Sequence, residues 1–177
     1  MMDLRKIGRE DFDTIFEIME KSFPDDEYRE YEEQRELFSI PEYSVYVVDE
    51  RAGNGSVKAF SAVWEFDKFM YIEHLAVNPD SRNGGIGASI LRALQNMSDK
   101  PICLEVELPE NELARRRIGF YSRNGFALNN YPYIQPPMSA GKNPVPLLIM
   151  TTGGEICEDE FINIRDSLYK KVYKCCI

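Results

Sequence analysis

Arg82-Asn83-Gly84-Gly85-Ile86-Gly87 is a glycine turn set between a strand-like run and a helix-like one. Such a turn has a specific chemical use. Glycines let the backbone bend tightly with no Cβ in the way, so the first amide hydrogens of the following helix can converge on one ligand. The helix dipole favours negative charge at that same end. Anion binding is the chemistry this spacing offers, and phosphate is the expected guest.

The elements that must position the turn can be read on either side of it. Tyr71, Ile72, Leu75 and Val77 form a β-type run that stops at Asn78-Pro79. Strict alternation along it puts Tyr71, Glu73 and Leu75 on one face and Ile72 and His74 on the other. His74, the lone histidine, is read as a partnered core residue. After the turn, Ile86, Ile90, Leu94 and Met97 make one apolar helical stripe, broken at Lys100-Pro101.

Further out, Leu4 to Ile7 predicts a short strand, and Phe12, Ile15, Phe16, Met19 and Phe23 predict an amphipathic helix stopped by Pro24. A second, polar helix is expected from about Asp26 to Phe38, a stretch where acids far outnumber the two arginines, as a solvated face or a lid for a cationic substrate. Tyr43 to Val48, Val57 to Phe66 and Phe69 to Val77 read as an antiparallel meander, with Asn54-Gly55 as its first turn. Ile102 to Leu108 is the next strand, and a helix between two strands implies a parallel crossover and hence a mixed sheet. A helix from Pro109 to Arg123 ends at Asn124-Gly125. Phe126 to Tyr131 and Val145 to Met150 are the last strands, joined by a proline-stiffened loop. Cys157, Phe161, Ile164, Leu168 and Val172 predict a C-terminal helix.

Composition narrows the function classes. At 177 residues, 44% apolar and 29% charged, the chain is expected to fold as one soluble domain spanning 1–177, with 155–177 as a helical extension. No apolar run approaches the length of a membrane span and no signal-peptide core is visible, so no membrane partner and a cytoplasmic location are expected. The four cysteines lack paired zinc spacing, so no metal and reduced thiols are expected. A net charge of -9 argues against a nucleic-acid partner. The charge is uneven: residues 81–125 carry seven Arg/Lys against five Asp/Glu, leaving the acidic excess to the rest of the chain.

The turn lacks the Lys-Ser/Thr of a nucleotide P-loop, and it follows a meander instead of opening a Rossmann unit. Arg82-x-x-Gly85-x-Gly87 directly after HLAVNPDSR instead resembles the coenzyme A signature of the GNAT superfamily of N-acetyltransferases. Phe120-Tyr121-Ser122-Arg123-Asn124-Gly125-Phe126 resembles that family's later tyrosine, glycine and phenylalanine motif. The order of elements from residue 4 to residue 150 is also similar. The resemblance implies an α+β, three-layer fold: a mixed, mostly antiparallel, about seven-stranded splayed sheet flanked by helices. It further implies an acyltransferase moving the acetyl group of acetyl-CoA to a primary amine of a small cationic metabolite or drug, in a ternary complex. Protein N-terminal or lysine acetylation, and a catalytically silent acyl-CoA-binding module, are the rival readings. Relatives often dimerise, so a homodimer is one expected state.

The resemblance also assigns residues. Amides matching Arg82, Asn83, Gly84, Gly85, Ile86 and Gly87 hold the pyrophosphate of the donor, and the main chain of Leu75, Ala76 and Val77 pairs with its pantetheine arm. Tyr121, four residues before Gly125, matches the general acid that protonates the departing thiolate. Glu73 matches the position of a base, acting through water, with Glu105 as the second candidate. Ala114 and Arg117 stand where many relatives carry asparagine and alanine, and Asn111 is the nearest amide that could replace the former. Arg115-Arg116-Arg117 is read as a solvated helix face.

Overall fold

The computed structural model describes residues 4–49, 56–82 and 84–175. Asn54-Gly55 with the preceding Arg51 to Gly53, Asn83 in the glycine turn, and Cys176 lie outside the described residues. The chain divides into two compact units, residues 1–24 with 31–102, and residues 25–30 with 103–177.

The first unit holds β1 (Arg5–Lys6), α1 (Phe12–Ser22), α2 (Tyr31–Glu36), β2 (Tyr43–Asp49), β3 (Val57–Glu65), β4 (Met70–Val77) and α3 (Ile86–Met97). β1 to β4 pair antiparallel in chain order. The meander expected from alternation is therefore present. Its strands are buried on both faces: the register puts Val45, Val47, Phe60, Trp64 and Tyr71 on one and Ala59, Val63 and Ile72 on the other. α1 buries Phe12, Ile15, Ile18 and Met19, and α3 buries Ile90, Leu91 and Leu94. Each such side chain contributes about 2 kcal/mol when fully removed from water. Met97 departs from the expected stripe and is exposed, because it sits on the last residue of its helix. The amide of Met70 donates to the carbonyl of Pro101 at 2.9 Å, which sets the entry to the next strand beside the start of β4, as a parallel crossover through α3 requires.

That strand is β5 (Ile102–Glu107), and the second unit continues with α4 (Glu112–Arg123), β6 (Phe126–Gln135), β7 (Val145–Thr152) and α5 (Glu158–Ser167). β7 pairs antiparallel with β5 and with β6. Among the described residues, seven strands in a mixed sheet and five α-helices make up the fold class.

Three departures from the sequence reading have physical causes. The polar stretch 26–38 is not one helix: it is a 3-10 turn (Asp25–Glu27), the short α2, and a second 3-10 turn (Leu37–Ser39). Residues 25–30 instead satisfy the loop after β6. Lys142 donates to the Asp25 carbonyl at 2.7 Å, Asn143 N to the Asp26 carboxylate at 2.8 Å, and Glu30 N to Ser139 at 2.9 Å. Such bonds compete with a helical ladder. Pro132 lies within β6 and not in the loop, at an irregularity between Asn129 and Tyr133 where the ladder can spare its missing N–H. The last turn of the C-terminal helix is a π turn, Leu168–Val172, with Tyr173 N donating to Leu168 O at 3.0 Å.

Candidate functional site

Gly85 is the N-cap of α3 and takes φ +70°, ψ 11°, the left-handed conformation that favours glycine. The first intrahelical bond runs from Ser89 N to Gly85 O at 3.1 Å. The amides of Ile86, Gly87 and Ala88 thus precede the ladder and point outward from the helix end. A Cβ built on Gly85 would meet no atom within 4 Å. The glycine is therefore demanded by its backbone angle, and the space above it is open. Asn78 shapes the approach: its side chain accepts from Asp80 N at 3.4 Å and its carbonyl from Ser81 N at 2.8 Å. Arg82 is exposed, and its Nε donates to the Val77 carbonyl at 3.4 Å. Leu75, Ala76 and Val77 pair through β3 with Ser61, Phe60 and Ala59.

Glu73 is placed by a feature the sequence did not signal. Ile72 stands opposite Val63 and His74 opposite Ala62, so Glu73 is an extra residue in β4, a β-bulge. Adjacent residues of β3 face opposite ways, so Ile72 and His74 do too, contrary to strict alternation. His74 does not face away from Glu73. Its Nδ1 lies 3.5 Å from Glu73 Oε2, and both side chains are almost fully buried. The ring of Phe23 packs edge-on against the imidazole at 4.8 Å. Reading His74 as a buried, partnered residue agrees with this, although its partner is the candidate base itself.

In the second unit, Tyr121 is carried by α4. Asn111 caps that helix by accepting from Ala114 N at 2.8 Å, so its side-chain oxygen is engaged at the helix start. The helix closes at Gly125, which takes φ +90°. The Tyr121 ring packs between Phe120 (5.2 Å) and Phe126 (5.8 Å). Burial pushes its phenol up to about 12, against a smaller opposing pull from Arg117. It remains a proton donor at any physiological pH. Of the arginine run, Arg117 pairs with Glu107 at 2.6 Å and Arg115 donates to the Pro109 carbonyl at 3.0 Å; Arg116 is exposed.

Glu105, on β5, is held by two phenols that sequence reasoning missed. Tyr133 of β6 donates to its Oε1, and the Tyr173 hydroxyl lies 2.8 Å from both carboxylate oxygens. Burial first, then the neighbouring carboxylate, raise the Tyr133 phenol well above its ordinary value. No local signal could have found this cluster, because Tyr173 is 68 residues away in the chain.

Comparison with known proteins bears on what these residues serve. The model for the acetyltransferase (GNAT) domain matches residues 41–128. A structure from Bacteroides thetaiotaomicron, assigned to the GNAT family of acetyltransferases, is 36% identical, covers 98% of this chain and 99% of its own, and superposes with a TM-score of 0.88. YjbC of Bacillus subtilis (strain 168), assigned as an acetyltransferase, is 38% identical over 64 residues, 35% of this chain. That match spans only 33% of YjbC. An aminoglycoside 6'-N-acetyltransferase complexed with coenzyme A shares the fold at 14% identity, with a TM-score of 0.62 over 85% of this chain and 96% of its own. A glycine-opened helix after a bulged strand, in a chain matched along nearly its whole length by a family structure, leads to one conclusion: the protein belongs to the GNAT family of acetyltransferases.

Proposed function

We propose that the chain is a single acetyltransferase domain that transfers the acetyl group of acetyl-CoA to a primary amine of a small cationic molecule, by direct attack in a ternary complex. The observation that carries this reading is the β4–turn–α3 geometry. A left-handed Gly85 leaves three outward amides at a helix N-terminus, with open space above them. These features fit a pyrophosphate, and Arg82 adds a guanidinium at the same turn.

When bound, acetyl-CoA supplies an activated thioester carbonyl. The amides of Ile86, Gly87 and Ala88 hold its diphosphate, with Arg82 beside them. The main chain of Leu75, Ala76 and Val77 offers strand-type hydrogen bonds to the pantetheine arm. Glu73 takes the proton that the amine must lose as the new C–N bond forms. Its neighbour His74 gives the carboxylate a buried partner across 3.5 Å, which orients it. Tyr121 gives its proton to the sulfur as the C–S bond breaks, so the proton collected by Glu73 balances the one that Tyr121 gives.

The test is a thiol-release screen with acetyl-CoA against small amines, peptides and aminoglycosides, run beside Tyr121→Phe. Turnover of a small amine that falls in the variant supports the reading. Turnover of peptides alone would reassign the acceptor to protein. Silence across the panel, with coenzyme A still binding by calorimetry, would leave an acyl-CoA-binding module.

A further inference from the structure

The three consecutive arginines of α4 differ in what holds them. Arg115 donates to the Pro109 carbonyl at 3.0 Å, and Arg116 is exposed. Arg117 is half-buried, and its guanidinium lies 2.6 Å from the Glu107 carboxylate at the end of β5. That pair fixes a charge which a lone surface arginine would leave free to swing. Four residues on in the same helix stands Tyr121. Side chains at i and i+4 are neighbours, about 5–6 Å apart at Cβ, so the guanidinium and the phenol share a helix face.

The other ionisable groups nearby are turned away or engaged. Arg123 leans over Gly119, its Nη1 3.3 Å from where a Cβ there would stand, and Gly119 lies across the helix from Tyr121. β6 packs Phe126 against the Tyr121 ring and carries no charged side chain. Its Tyr131 and Tyr133 hydroxyls donate to the Ile156 carbonyl and to Glu105. Of the carboxylates on β5, Glu105 faces Tyr133 and Tyr173, and Glu107 faces Arg117. Arg117 is the charge that pulls on the phenol against its burial, and Glu107 offsets that charge.

The proton transfer needs such a charge. When Tyr121 gives its proton to the sulfur, an O–H bond breaks, an S–H bond forms and a phenolate is left, to be reprotonated from water before the next turnover. In water the thiol formed has a pKa near ~8.5 and a phenol one near ~10, so the transfer runs uphill, and enclosure of the phenolate makes it steeper. A fixed cation on the same helix face lowers that climb.

We propose that Arg117 is a positioning residue acting through Tyr121: its guanidinium, held by Glu107, stabilises the phenolate as the sulfur is protonated, and Glu107 sets how much of that charge the phenol feels. This inference rests on the reading of Tyr121 as the acid. It gives the ion pair between β5 and α4 a use in the reaction.

The test reads Tyr121 directly in the full chain, by resonance spectra of carbon-13-labelled tyrosine, the signal being assigned by its loss in Tyr121→Phe. Burial pushes the wild-type phenol up to about 12, so about a tenth of it is ionised at about pH 11. Glu107→Gln removes the offsetting charge, and the ionised share rises to about a quarter. In Arg117→Gln it falls below about a twentieth, whereas Arg117→Lys keeps the charge and stays near the wild-type share. Both side chains are partly exposed, so these variants cost little stability. A share that moves the same way in Glu107→Gln and Arg117→Gln, as loss of a purely structural ion pair would give, or that moves in neither, overturns the proposal. Thiol release from acetyl-CoA, with the fastest amine of the panel above, gives the second readout. There Arg117→Gln lowers kcat about fivefold with KM for acetyl-CoA within about twofold, Arg117→Lys restores the rate, and the same loss is absent in a Tyr121→Phe background. Equal losses in both backgrounds would strike Arg117 and leave Tyr121 as the acid. An unchanged kcat in Tyr121→Phe, with the titration as expected, would strike the acid and leave the coupling between Arg117 and the phenol standing.

Discussion

The two units offer different parts of the polypeptide to their candidate sites. In the first, the candidate donor site is made of backbone: the amides opening α3, the left-handed Gly85 and the main chain of Leu75 to Val77. In the second, it is made of hydroxyl groups: Tyr121 packed between phenylalanines, and Tyr133 with Tyr173 on one carboxylate. Backbone sites tolerate side-chain change but not change of backbone angle. Side-chain sites behave in the opposite way.

The sharpest way to break this contrast is at Gly85. Gly85→Glu fills the open space and sets a negative charge against the phosphates, so coenzyme A affinity by calorimetry should fall by more than about a hundredfold. Normal affinity would remove the backbone site. In the other unit, Tyr121→Phe keeps the packing and loses the proton, so kcat should fall about a hundredfold with coenzyme A affinity within twofold. Because burial holds that phenol near 12, the wild-type rate should show no alkaline loss due to Tyr121 up to about pH 10, where an exposed phenol would already ionise. An alkaline limb below that pH which vanishes in Tyr121→Phe would contradict the buried setting. Glu73→Gln should lower kcat about tenfold and move the acidic limb of its pH profile. An unmoved limb would pass the base to Glu105 or to bulk water. The smallest effect is purely structural: Asn111→Ala removes the cap of α4 and should cost about 1 kcal/mol in thermal unfolding with coenzyme A affinity intact.

What could be read from the sequence follows the same division. The glycine turn, the apolar stripe of α3 up to Leu94 and the meander before it are local patterns, and the structure places them where periodicity and turn chemistry put them. The bulge at Glu73 carries no glycine or proline to announce it, so alternation assigned His74 to the wrong side of its neighbour. Residues 25–30 look helical by composition, yet their partners are Ser139, Lys142 and Asn143, more than a hundred residues on. The phenols on Glu105 escaped for the same reason. Contacts between distant segments leave no period in a sequence.

The bulge in β4 also fixes a parity. One additional residue at position 73 means that every side chain from His74 onward is on the opposite face from where an unbroken count from Met70 would put it. Removing a single residue there would leave β4 equally long to the eye and equally apolar in composition. It would nevertheless take away the carboxylate beside the imidazole and the local irregularity of the ladder, while leaving His74 opposite Ala62 and Leu75 to Val77 in their present register. The extra residue is thus where β4 gains a buried carboxylate without moving the rest of the strand.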